Sequence, residues 1–114
     1  ADWLRRLQKH VDKGHAEAQL QLGARYHEGM HGLKKSPKRA FQLYELAAAQ
    51  GHPKGQVNLG CCYQTGLNVK INNETAVQWF RRAAEQAFPQ AQANLGSAFY
   101  SGKGVAQSFD EAVR

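Results

Sequence analysis

The apolar residues of this chain recur at helical spacing, and one pattern of polar and apolar positions occurs three times. The central copy lies between Gly51 and Gln86, and its most regular positions recur 37 residues earlier and 36 residues later. The three sets are Gln19, Leu22, Gly23, Tyr26 and Gly29; Gln56, Leu59, Gly60, Tyr63 and Gly66; and Gln92, Leu95, Gly96, Phe99 and Gly102. Self-similarity with a period of about 20 to 50 residues is typical of stacked-repeat proteins, so the pattern predicts a solenoid.

Each period contains two segments with helical spacing, which we call helix A and helix B. In repeat one, helix A carries its apolar stripe on Ala18, Leu22 and Tyr26, and Gly29 ends it with a left-handed cap. Helix B begins with a serine N-cap and a proline, Ser36-Pro37. Its inward stripe is Ala40, Leu43, Tyr44, Ala47 and Ala48 in repeat one and Ala76, Trp79, Phe80, Ala83 and Ala84 in repeat two. No strand pattern is evident, so the sequence predicts an all-α fold.

The other helix starts carry similar signals. They are Pro53 and Pro89 for the later A helices, Asn72 or Asn73 for helix B of repeat two, and a Ser108–Glu111 capping box in repeat three. These signals divide a single domain, residues 1–114, into four parts: an N-terminal capping or remnant helix (2–13), repeat one (14–50), repeat two (51–86) and a truncated repeat three (87–114).

The short last helix carries a further expectation. Helix B of repeat three has only residues 109–114, fewer than two turns, so we expect Leu95 and Phe99 to be partly uncovered. Uncovered apolar surface marks association sites. We therefore expect a segment of a longer array that associates with another copy, or with the missing repeats, through its truncated C-terminal repeat.

Two recurrent positions need a physical reason. A glycine inside a helix costs about 0.5–1 kcal/mol relative to alanine, so the helical glycines Gly23, Gly60 and Gly96 indicate a close approach of the partner helix. The recurrent glutamines, Gln19, Gln56 and Gln92, are interpreted as buried amides whose hydrogen bonds tie adjacent turns.

Composition excludes some classes and leaves others open. The net charge is +6, but the basic residues lie in scattered pairs, whereas a nucleic-acid groove needs them on one face with aromatic residues between them, so nucleic-acid binding is a weaker alternative. No apolar run approaches the ~20 residues that span a bilayer. The cysteines, Cys61 and Cys62, are adjacent and cannot form an ordinary disulfide with each other; two free thiols weakly favour a reducing compartment such as the cytoplasm.

The sequence predicts no metal, cofactor or catalytic site. His27 and His31 are four residues apart, but Gly29 ends the helix between them and no further pair completes a ligand set. A nucleophilic Cys61 or Cys62 would need a histidine beside it and a carboxylate to orient that histidine.

The repeated string A-x-x-Q-x-x-L-G-x-x-Y-x-x-G, followed by A-x-x-W/Y-x-x-A-A, resembles the Sel-one-like repeats (SLR), relatives of the tetratricopeptide repeats (TPR). The resemblance covers residues 14–114. Repeat three also has the family's G-x-G-V turn at residues 102–105, whereas Asn68 replaces its second glycine in repeat two and repeat one has an extra residue. The resemblance implies a right-handed superhelix of antiparallel helix pairs, no catalytic site, and a role as an adaptor in protein assemblies.

The resemblance also implies a ligand groove on the concave face of the superhelix. The family's inward-facing helix A positions correspond by register to Glu17, Leu20, Ala24, His27 and Glu28; Lys54, Val57, Cys61, Gln64 and Thr65; and Gln90, Ala93, Ser97, Tyr100 and Ser101. Asn58 and Asn94 could clamp a peptide carboxylate as in some related repeats, although a structural role is favoured. The leading hypothesis is a non-enzymatic interaction module that binds a peptide or protein segment. The alternatives are a basic-surface binder of nucleic acid or another anion and a structural spacer without a ligand.

Overall fold

The computed structural model describes residues 2–106 and 108–112, and within these ranges it contains seven helices and no strand. The helices are α1 (Asp2–Asp12), α2 (Ala16–Glu28), α3 (Pro37–Ala49), α4 (Pro53–Thr65), α5 (Asn73–Ala84), α6 (Pro89–Ser101) and α7 (Phe109–Ala112). Consecutive helices pack against each other, and α4 also contacts α2 and α6. The result is an elongated stack of 49 × 25 × 19 Å. The predicted all-α repeat fold is confirmed.

The helix ends follow the residues that predicted them. The side chains of Ser36 and Asn72 accept hydrogen bonds from the third N–H of α3 and α5, at 3.3 and 3.0 Å. Asn72, not Asn73, is therefore the cap of α5. The helix A caps are all left-handed glycines, with φ of 67°, 79° and 73° at Gly29, Gly66 and Gly102.

The loops from helix A to helix B close identically in all three repeats. The backbone N–H of the N-cap residue donates to the carbonyl of the helix A aromatic residue: Ser36 to Tyr26 (2.9 Å), Asn72 to Tyr63 (2.8 Å) and Ser108 to Phe99 (2.8 Å). The longer first loop reaches the same closure through positive φ at His31 and Gly32 (56° and 78°). In the second loop Asn68 has φ 62°, consistent with the tolerance of asparagine for this conformation.

The helical glycines lie where helix B crosses helix A. A Cβ on Gly23 would lie 2.8 Å from Cε1 of Tyr44, and one on Gly60 would lie 2.6 Å from Cε1 of Phe80. On Gly96 it would lie 2.8 Å from a backbone oxygen of α7. The predicted close approach is confirmed.

The predicted helix B stripes form the core with two exceptions. All ten positions are buried except Trp79 and Ala84, which are half-buried. The guanidinium of Arg82 lies 4.6 Å from the ring centroid of Trp79. The prediction that Trp79 is a core residue was thus only partly right: its side chain packs against the core cluster but remains partly exposed, beside the exposed Arg82.

The recurrent glutamines connect the start of helix A to the end of helix B. Gln19 and Gln56 are buried, and each accepts a hydrogen bond on Oε1, from Nε2 of Gln50 (2.9 Å) and of Gln86 (3.0 Å) respectively. Gln92, predicted to be a buried amide, is exposed. The reason is geometric: the bonded partners lie 31 and 30 residues downstream, and a partner for Gln92 at that spacing would lie beyond residue 114.

The junctions between repeats provide a stability prediction. Ala87 has φ 57°, whereas the same place in the earlier repeats holds Gly14 and Gly51 at φ 82° and 80°. A left-handed conformation costs a non-glycine residue about 1–2 kcal/mol, and glycine loses somewhat more entropy on folding. We expect Ala87→Gly to raise the free energy of unfolding by about 0.5–1 kcal/mol, measured by urea denaturation.

A matched control separates this conformational effect from a general effect of glycine. Ala24 is exposed inside α2, so Ala24→Gly should lower the free energy of unfolding by ~1 kcal/mol. If Ala87→Gly also lowered the free energy of unfolding, the left-handed conformation of Ala87 would not be a source of strain.

Candidate functional site

Helices α2, α4 and α6 stand side by side and form one face of the stack, which we call the A face. They are the first helices of the three repeats, and their stripes of leucine and glycine turn towards helix B. The residues between those stripes therefore remain available to a ligand. Two cavities open among them.

The first cavity lies between α2 and α4 and has a volume of 260 Å³. It is lined by His27, Tyr44, Asn58, Cys61, Cys62, Thr65 and Leu67. The second cavity lies between α4 and α6 and has a volume of 540 Å³. It is lined by Gln64, Ala93, Gly96, Ser97, Ala98, Tyr100, Ser101, Lys103 and Ala112.

Hydrogen bonds hold the cavity walls in place. The hydroxyl of Tyr44 lies 3.5 Å from Nδ1 of His27, which connects α3 to α2 beneath the first cavity. Nδ2 of Asn94 donates to Sγ of Cys61 across the α4–α6 contact, at 3.7 Å. This contact supports the structural role favoured for Asn94. Its counterpart Asn58 lines the first cavity.

Burial keeps the acidic groups of the first cavity protonated. It raises the pKa of the Cys62 thiol to about 12, with a smaller contribution from the neighbouring Cys61. Burial also raises the pKa of Cys61, and the hydrogen bond from Asn94 offsets part of that rise. The pKa of Tyr44 is raised to about 12, again mainly by burial and then by the nearby Cys62. At neutral pH all three groups are therefore uncharged.

The candidate residues fall into three groups. Eight of them line the two cavities: His27, Cys61 and Thr65 the first, and Gln64, Ala93, Ser97, Tyr100 and Ser101 the second. Five others, Glu17, Ala24, Glu28, Lys54 and Gln90, are exposed on the same three helices but outside these cavities.

The remaining two candidates, Leu20 and Val57, are core residues, and their placement in the groove was wrong. Their exposed fractions are 4% and 0%. Leu20 packs in the cluster that contains Ala47 and Ala48, and Val57 in the cluster around Phe80. The following pair of helices covers each of them, so they cannot touch a ligand.

The candidate residues were assigned from their register on helix A, and this assignment did not include several residues that line the cavities. Leu67 and Lys103 directly follow the capping glycines Gly66 and Gly102, at the same place in successive loops. Tyr44 enters from helix B. Both loop residues could have been predicted from the sequence, because each of them directly follows a capping glycine.

The described part of the chain contains no group of three or more histidine, cysteine, aspartate or glutamate side chains suited to a metal ion. His27 and His31 do not converge: His31 lies in the loop, with its ring 5.0 Å from that of Trp3. Among the described helices none combines the length and apolar character needed to cross a membrane.

The paired helices, the shared loop closure and the open A face define a helical-repeat solenoid. The sequence model of the Sel1 repeat family matches residues 16–52, 53–88 and 89–114, so the chain belongs to the Sel1 repeat family. The family assignment made from the sequence is confirmed. Sel1 repeats are generally protein–protein interaction modules built on a non-enzymatic scaffold.

Two curated relatives share part of this chain. It is 36% identical over 61 residues to chitin synthase regulatory factor 3 of Schizosaccharomyces pombe and 37% identical over 71 residues to protein SHC1 of Saccharomyces cerevisiae. The matches cover 54% and 62% of this chain but 6% and 14% of those proteins. The chain thus spans a small part of either relative.

Solved structures show the same arrangement. A protective antigen of uropathogenic Escherichia coli with an SLR fold has a TM-score of 0.91 at 36% identity, over 96% of this chain and 23% of that one. A Sel1 repeat protein of Oxalobacter formigenes has a TM-score of 0.90 at 34% identity, over 96% and 83%. Cysteine-rich protein B of Helicobacter pylori, 23% identical with a TM-score of 0.71 over 95% and 81%, shares the fold.

Proposed function

We propose that this chain is an adaptor module that binds a peptide or protein segment on the A face. The observation that carries the proposal is the contrast between the core and the face. The leucine and glycine beneath the face are the same in every repeat, whereas the cavity positions change, for example from Cys61 to Ser97. Packing fixes the first set and not the second, which leaves the second set for recognition.

The chemistry of the first cavity favours binding over catalysis. A cysteine nucleophile acts as a thiolate and needs a lowered pKa. Here burial raises the pKa of both Cys61 and Cys62. His27, the histidine that shares their cavity, has its Nδ1 3.5 Å from the hydroxyl of Tyr44. We therefore propose that the cavity has no catalytic role.

Peptides selected from a random dodecapeptide display library test the proposal. A triple alanine variant of the A face, at His27, Gln64 and Tyr100, should weaken the binding of selected peptides at least tenfold. The matched control is a triple alanine variant at Gln42, Glu45 and Gln78, which are exposed on α3 and α5; it should bind within twofold of wild type. Equal affinities of the two variants, measured by fluorescence anisotropy, would contradict the proposal.

The alternative, a basic surface that binds nucleic acid or another anion, rests on the +6 charge. Base stacking would need open aromatic faces. Four guanidinium groups lie 4.6–5.4 Å from ring centroids, in the pairs Arg25–Trp3, Arg39–Tyr26, Arg81–Phe99 and Arg82–Trp79, whereas Tyr100 is exposed. A salt titration distinguishes the two modes, because affinity for phosphates falls steeply with salt concentration.

Association of copies through the C-terminal repeat stays a prediction. Leu95 and Phe99 are half-buried, and the guanidinium of Arg81 lies 5.2 Å from the ring centroid of Phe99. Light scattering over a concentration series would test association, and a strictly monomeric chain would contradict it.

A further inference from the structure

The two cavities of the A face lie at equivalent positions of successive repeats. Five of the seven residues that line the first cavity have a counterpart, 36 or 37 positions later, that lines the second. The pairs are His27 and Gln64, Cys61 and Ser97, Cys62 and Ala98, Thr65 and Ser101, and Leu67 and Lys103. The face therefore carries one subsite twice, at the α2–α4 contact and at the α4–α6 contact.

The chemistry of the subsite changes between its two copies. The first cavity is lined by the apolar side chain of Leu67, two uncharged thiols and a tyrosine ring, together with the polar side chains of His27, Asn58 and Thr65. In the second, the ammonium of Lys103 replaces Leu67, and the hydroxyl of Ser97 replaces the thiol of Cys61. Lys103 is exposed and lines this cavity. The change from Leu67 to Lys103 thus favours an apolar group at one end of the face and an anion at the other.

The sizes of the cavities indicate what kind of group each one takes. Pockets for whole small molecules typically measure about 300–1,000 Å³. The first cavity, at 260 Å³, is smaller and suits a single side chain. The second, at 540 Å³, lies within that range and therefore has room for more than one side chain, including a polar side chain with water beside the ammonium of Lys103.

The distance between the cavities sets the spacing of a ligand. Packed helices lie about 8–10 Å apart, and α4 contacts both α2 and α6. The two copies of the subsite are therefore separated by about one such step. An extended peptide advances ~3.3 Å per residue, so three residues cover that distance.

We propose that the A face binds an extended peptide whose apolar side chain enters the first cavity and whose carboxylate, three residues away, pairs with Lys103 in the second. This inference rests on the proposed function, because it names the ligand class of the same face. It commits to an acidic peptide with an apolar residue at the i+3 or i−3 position, according to the direction in which the peptide lies.

The random dodecapeptide library tests the pattern directly. Peptides selected against the wild-type chain should be enriched in glutamate or aspartate three positions from leucine, isoleucine, methionine or phenylalanine, relative to the unselected library. Binders that depend on the A face but lack this spacing would overturn the inference and leave the proposed function intact. If no selected peptide depended on the A face, both would fail.

A charge reversal gives the second arm. With a selected acidic peptide, Lys103→Glu should weaken binding at least tenfold, and it should strengthen the binding of the same peptide carrying lysine in place of its acidic residue. The matched control is Lys70→Glu, an exposed loop residue that lines neither cavity; it should change affinity by less than twofold. Equal losses in the two variants would show that only the overall charge matters, and would overturn the role of Lys103.

Discussion

Gly60→Ala should lower the free energy of unfolding by about 2 kcal/mol. The new methyl group would lie 2.6 Å from Cε1 of Phe80 and 3.1 Å from the carbonyl oxygen of Ala76. Phe80 is fully buried, so its ring has no free space to enter. Overpacking of this kind costs about 1–3 kcal/mol, and it outweighs the gain of up to ~1 kcal/mol from the helix propensity of alanine. The free energy of unfolding would be measured by urea denaturation, and we expect the m-value of the variant to equal that of the wild type.

A double variant provides the control for this steric explanation. Phe80→Leu alone should destabilise by removing buried ring atoms, but it also opens space beside residue 60. The two changes are in contact and should not be additive: Gly60→Ala should cost less in the Phe80→Leu background than in the wild type. A Gly60→Ala chain that is more stable than wild type would mean that helix propensity outweighs the clash.

The stability of the chain should fall steeply as the pH rises above about 9. Burial raises the pKa of Cys62 and of Tyr44 to about 12, from ordinary values of 9.0 and 10.0. At pH values between the ordinary pKa and the raised pKa of each group, the unfolded chain releases a proton that the folded chain retains, so high pH favours unfolding. Each group lowers the free energy of unfolding by up to ~1.4 kcal/mol per pH unit across its window. Below pH 9 the contribution of both groups is fully present.

Urea midpoints measured from pH 8 to 11 test this expectation. The variants Tyr44→Phe and Cys62→Ala each remove one titrating group, and Ala98 already occupies the place of Cys62 in repeat three. Each variant should show a shallower loss of stability with pH than the wild type, and the double variant the shallowest. A double variant with the wild-type slope would show that other groups control the alkaline transition.

The repeated core was predictable from the sequence because packing leaves it little freedom. Gly23 and Gly60 recur since a ring of helix B lies against each of them, and Gln19 and Gln56 recur since each meets a second glutamine at the end of helix B. The glycine constraint acts in all three repeats and the glutamine constraint in the first two, so the periodicity of the sequence reveals both.

The candidate site was less predictable, because it depends on which neighbour covers each position. Leu20 and Val57 occupy the same register as Ala93, yet the following helices bury only the first two. Leu67 and Lys103 belong to loops whose course depends on the capping glycine and on the closure of the N-cap. The register of residues on one helix shows neither which positions the next repeat covers nor which loop residues lie beside the helix.

The junctions between repeats have a mechanical consequence. The loop closures bind the two helices of each repeat with hydrogen bonds, and in the first two repeats a glutamine pair does so as well. Between repeats, small apolar groups meet: a Cβ on Gly55 would lie 2.8 Å from that of Ala47, and Ala83 and Ala91 are fully buried in one cluster. Side-chain hydrogen bonds also cross these junctions, between His52 and Glu17 and between Asn94 and Cys61. The apolar contacts are close but not directional, so resistance to sliding depends more on these two hydrogen bonds. Because each cavity lies between the A helices of two successive repeats, a shift of one repeat against the next would change the shape of the cavity that they share.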